Sequence, residues 1–141
     1  IKDPRELYKS YTYWLKRLFI LTLIGWIILV ITPSLILTSI LGDKWAGLMG
    51  AIKVISPWMA IMFIASSLSY VFIRLEKQKE IFFFDVFHLL LIIITLVLRH
   101  YFLNEKNQIL YLVTIVQSIF YILSISLALK FLIANLKNNN G

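Results

Sequence analysis

Between Val54 and Ile73 the chain runs for 20 residues without a charged side chain. At 1.5 Å of rise per residue, a helix of that length measures about 30 Å, the thickness of a bilayer's hydrocarbon core. Backbone groups with no water beside them must bond to one another, so the run is read as a transmembrane helix. Its flanks suit the same reading. Asp43 stands where a carboxylate caps the first free N–H groups. Trp45 stands where an indole meets the lipid interface. Arg74, Lys77 and Lys79 follow the run as a basic exit.

Composition extends the constraint to the whole chain. Of its 141 residues 60% are hydrophobic and the mean hydropathy is +0.86, whereas a soluble domain carries about 45–50% apolar residues. There is no cysteine, so disulfides, zinc thiolates and thiol nucleophiles fall away. The net charge of +7 invites nucleic acid as a partner. The basic residues, however, gather at the ends of apolar runs instead of along one polar face, which points to membrane lipid and not to nucleic acid.

An all-α, multi-pass membrane fold is therefore expected, with crossings over about 18–41, 44–73, 82–102 and 109–132. Residues 1–17 read as a cytoplasmic interfacial helix. Asp3 caps it, Pro4 takes the first helical position, and Leu7, Tyr8, Tyr11, Leu15 and Leu18 share one face. Residues 138–141 form a polar tail of the kind found at natural C-termini. With four crossings, ten basic residues fall on the side of both termini and three on the other, so both termini are expected in the cytoplasm.

Each crossing carries polar groups that need an explanation. In the first, Pro33 should bend the helix. Thr22, Gly25, Leu29, Thr32, Ile36 and Ser39 make a stripe suited to close packing. In the second, Lys53 costs roughly 2.5–3.5 kcal/mol at bilayer centre, so it either snorkels outward or faces a watery cavity. In the third, Asp85, His88, Ile92, Thr95 and Arg99 fall within an arc of about 80°. That face should meet protein or water, unless Asp85 and Arg99 only mark the two interfaces. In the fourth, Thr114, Gln117, Tyr121, Ser124 and Ala128 share a face, and Gln117 needs a partner inside hydrocarbon. Short loops imply antiparallel neighbours. His88 and His100 lie about 18 Å apart along one helix, too far to hold one haem or metal together. No cofactor is expected. No phosphate cradle, nucleophile elbow or paired-carboxylate site suggests an enzyme.

The stretch Leu41-Gly42-Asp43-Lys44-Trp45-Ala46-Gly47, then Ser56-Pro57-Trp58, then Ser66-Ser67-Leu68-Ser69 and Gln78 resembles the bacterial polysaccharide flippases. These belong to the multidrug/oligosaccharidyl-lipid/polysaccharide exporter superfamily. Gly42, Trp45, Ser56-Pro57-Trp58, Leu68-Ser69 and Gln78 match the family pattern. Ile40-Leu41 replaces Val-Phe, Ser67 replaces a proline, and Ala46-Gly47 lies nearer the tryptophan than is usual. More weakly, the likeness covers nearly all of residues 1–137.

The resemblance implies the C-terminal third of a transporter with twelve or more helices, so partner helices N-terminal to this chain are expected. It implies flipping of lipid-linked oligosaccharide across the cytoplasmic membrane by alternating access, driven by an ion gradient. Lys53, Arg99 and Gln117 are then candidates for binding the substrate, the first two at its anionic pyrophosphate. Asp85 and His88 are candidates for ion coupling. Two other readings are multidrug or cation antiport, which favours acidic residues within the spans, and a non-transporting scaffold for an envelope assembly.

Overall fold

The structure is a computed structural model. It describes residues 3–42, 46–102 and 106–138, with side chains over 3–31, 39–40, 42, 47–97 and 108–138. Asp43, Lys44, Trp45 and the side chains of Pro33, Arg99 and His100 lie outside those described. Among the described residues there is no strand. The helices are α1 (Pro4–Leu41), α2 (Ala46–Leu68), α3 (Tyr70–Arg74), α4 (Gln78–Phe102) and α5 (Lys106–Asn138). By length and composition, four stretches can cross a bilayer: Pro4–Ile31, Gly47–Arg74, Gln78–Val97 and Gln108–Asn138. The protein is a helical multi-pass membrane protein.

α1 begins as its sequence dictates. The Asp3 carboxylate accepts from the Arg5 N–H at 3.0 Å, and Pro4 sits where its missing N–H costs nothing. The helix then runs unbroken for 38 residues. Residues 4–17 are thus continuous with the first crossing, in one helix. The face with Leu7, Tyr8, Tyr11, Leu15 and Leu18 turns onto the protein core instead of the lipid surface. Tyr11 is fully buried, and its hydroxyl donates to the Ile125 carbonyl at 3.4 Å.

That core joins Tyr11 to Ile64, Leu68, Val71, Phe72, Ala128 and Leu132. Phe72 meets Phe131 edge to face, with ring centroids 6.3 Å apart. All of these residues belong to the end of the bundle that holds the start of α1, the end of α5 and the short helix α3. α2 and α5 form the central pair, and α1 packs on both. α4 touches mainly α5, so the principal partner of α2 is not the helix that follows it in sequence. Burial follows this arrangement. In the apolar windows of α2–α3 and of α5, 22% is buried, against 0% for α1 and 6% for α4.

The second crossing is broken at Ser69 by competition for carbonyls. Ser69 Oγ donates to the Ser66 carbonyl at 2.8 Å, and Ser67 Oγ donates to that of Phe63 at 2.7 Å. Such back-bonding tilts carbonyls away from their helical donors and bends the chain. α3 then closes in a Schellman turn. Lys77 N–H reaches the Phe72 carbonyl at 2.8 Å, and Glu76 N–H reaches that of Ile73 at 3.2 Å. Glu76 holds the left-handed position, φ 55°, usually given to glycine. The Lys77 ammonium pairs with Glu80 and lies 5.4 Å from the centre of the Phe131 ring, tying the turn to α5.

Candidate functional site

Two polar clasps lie inside the spans, and each answers a deficit created by the sequence. The first is at Pro57, in the interior of α2. Proline has no N–H, so the carbonyl four residues earlier, that of Lys53, loses its helical donor. Ser56 lies beside it and is 1% exposed. Its hydroxyl donates to the Lys53 carbonyl at 3.3 Å and accepts from the indole N–H of Trp26, on α1, at 2.9 Å. The break is thus bridged by a side chain of its own helix and locked by a neighbour. This is how membrane helices accommodate proline. Alongside runs a groove of about 380 Å3 between α1 and α2, bordered by Thr22, Gly25, Trp26, Ser56 and Phe63. Thr22 Oγ1 and Trp58 Nε1 are shielded from solvent and have no hydrogen-bond partner among the described residues.

The second clasp joins α4 to α5. His88 Nε2 lies 2.5 Å from Gln117 Oε1. With the amide oxygen as acceptor, the imidazole is the donor. The His88 ring stacks on Phe120, with centroids 3.6 Å apart and planes 12° from parallel. It also meets Tyr121 edge to face at 5.7 Å. Phe84 stacks on Phe120 from one turn earlier, at 4.2 Å. Gln117 is 5% exposed, so its amide has the partner that burial in hydrocarbon demands. Deeper along the seam, buried Thr95 returns its hydroxyl to the Leu91 carbonyl at 2.8 Å. A cavity of about 90 Å3 lies between Thr95, Val113, Val116 and Gln117.

Among the described side chains, the candidate residues do not all converge. His88 and Gln117 meet. Asp85 is exposed, to one side of the α4–α5 seam, and is not hydrogen-bonded to His88. Lys53 is exposed on α2, and its backbone carbonyl is part of the first clasp. The Arg99 side chain lies outside those described. Trp26 was not singled out by the sequence. The only hint was indirect: a proline inside a span demands a donor from elsewhere, and three tryptophans other than Trp58 are available to supply one. Among the described residues no group of three His, Asp or Glu stands together as a metal site. Comparison of the chain with protein-family models, with curated proteins and with solved structures gave no match.

Proposed function

We propose that this chain is part of a transporter that moves lipid-linked oligosaccharide from the cytoplasmic to the outer leaflet of a bacterial cytoplasmic membrane, with both termini in the cytoplasm. The observation that carries the reading is the bridged break in the second crossing. There the Ser56-Pro57-Trp58 of the flippase-like pattern coincides with a freed carbonyl held by Ser56 and by Trp26 of α1. Alternating-access transporters use interrupted helices where one bundle moves against another. The polar His88–Gln117 pair within the spans also favours transport, since polar groups in lipid are costly and mark pathways. Cation antiport is favoured less, because it calls for several acidic residues within the spans and only Asp85 comes near.

In this reading the sugar head group passes between this bundle and helices N-terminal to it. Lys53 and Arg99 meet the anionic linkage late, near the outer leaflet, and Gln117 contributes a polar contact. Asp85 and His88 take part in ion coupling. The test uses the cell that makes the protein. Deletion is expected to abolish surface polysaccharide and leave its lipid-linked precursor inside. The double substitution Lys53→Gln, Arg99→Gln is expected to reproduce that loss at normal protein level. Undiminished polysaccharide after deletion refutes the transport reading. Loss on deletion but not in the double mutant refutes only the role of the two cations.

A further inference from the structure

At the cytoplasmic end, by the orientation proposed above, a second groove of about 650 Å3 opens between α1, α2 and α5. Its walls are Phe19, Ile20, Ile61, Ile64, Ile122 and Ile125, and Lys16 stands at its lip. Ile64 forms a buried floor, while Phe19, Ile20 and Ile122 are each at least half exposed along the sides. We propose that this groove holds one anionic phospholipid of the inner leaflet, with an acyl chain against the isoleucines and the phosphate between Lys16 and Lys9. The proposal does not depend on what the protein transports.

Charge selects the occupant. Lys9 and Lys16 are seven residues apart, so they lie within about 20° on α1 and about 10.5 Å apart along its axis. Lys9 is two turns nearer the cytoplasmic end, at the level of lipid head groups. Both are exposed, and neither ammonium is paired among the described residues. Neither nearby acid is ion-paired with these lysines among the described residues. The Asp3 carboxylate caps α1, and Glu6 borders a separate cavity beside Arg74. Arg17 lies 4.5 Å from the centre of the Tyr13 ring. A further helix seated in the groove would press the Lys16 ammonium at its lip against apolar surface and leave Lys9, beyond the groove, without a counter-charge. A phosphate at the membrane surface meets them instead, and an acyl chain needs nothing from walls that offer no polar partner. Basic pockets between spans on the cytoplasmic side bind acidic head groups in this way.

The test is native mass spectrometry of the full chain in mild detergent, offered equal amounts of phosphatidylglycerol and phosphatidylethanolamine with identical acyl chains. One phosphatidylglycerol per chain is expected, preferred about thirtyfold, which is about 1 kcal/mol for each lysine. Lys9→Gln with Lys16→Gln should bring the ratio near one. Lys130→Gln, a basic residue outside the groove, should leave it unchanged. Ile20→Trp, on the exposed wall, should fill the groove and reduce retention of both lipids. Equal retention of the two lipids by the native chain overturns the proposal. So does a preference that survives the double substitution, or retention unaffected by Ile20→Trp. A polyprenyl phosphate that displaces phosphatidylglycerol at equal concentration, or a dimer that excludes lipid, overturns the choice of occupant.

Discussion

The clasp at Pro57 makes a quantitative claim that does not depend on what the protein transports. Ser56→Ala removes one hydroxyl and leaves two groups behind, the Trp26 N–H and the Lys53 carbonyl, at a position 1% exposed. A buried polar group left unpaired costs about 1–3 kcal/mol. Hydrogen bonds inside membrane proteins average only about 0.6 kcal/mol, with a maximum near 1.7. The 2.9 Å indole bond is the stronger, and the 3.3 Å bond to the carbonyl is long. We therefore expect a total loss of about 2 kcal/mol, most of it from the indole. The background should matter. Pro57→Ala restores the N–H that the Lys53 carbonyl lacks, so Ser56→Ala should cost roughly 0.5–1 kcal/mol less there. Trp26→Phe should remove most of what remains. The assay is reversible unfolding in mixed dodecylmaltoside and dodecyl sulfate micelles, followed by helix ellipticity and read as a double-mutant cycle. An equal cost of Ser56→Ala with proline and with alanine at position 57 would refute the bridging role.

Three other outcomes follow from the geometry. Glu76→Gly should stabilise the protein by up to about 1 kcal/mol in the same assay, because a glycine takes φ 55° without the penalty an L side chain incurs, and Glu76→Val should destabilise it. His88→Leu and Gln117→Leu should each cost about 1–2 kcal/mol by stranding the other partner, and the double substitution should cost less than their sum. For topology, cysteines at Asp43 and Asn104 should react with an impermeant thiol reagent added outside the cell, and one at Lys77 should not; the opposite pattern inverts the orientation.

The crossings were legible because lipid offers the backbone no alternative: a charge-free run such as Val54–Ile73 is helical throughout, save for the break at Ser69. The need of Gln117 for a partner was equally plain, and α4 supplies His88. Much of the rest depended on which faces meet. The stripe from Leu7 to Leu18 suits a lipid surface and a protein core equally well. Ile125 on α5, more than a hundred residues away, decides for the core. On α4 an arc containing Asp85 was sensible, but the seam centres on Phe84, His88, Leu91 and Thr95. At 100° per residue that leaves Asp85 roughly 90° to the side. The α2–α5 pairing could not be read from short loops, which fix sequence neighbours and say nothing about the diagonal.

The core cluster sits at one end of the bundle, and towards the start of α2 the helix is held more sparsely, through buried Met49 and Ser56. Tyr11, Leu68, Val71, Phe72 and Leu132 clamp the helices at one end, and the start of α2 lies 18 residues beyond Ile64 in the other direction. That arm is about 27 Å long at helical rise. A tilt of roughly 10° about the clamp would carry its tip about 5 Å, the width of a helical turn, while the clamped residues hardly shift. With Pro57 and its two hydrogen bonds partway along the arm, stiffness there is set by a joint that one hydroxyl can tighten or release.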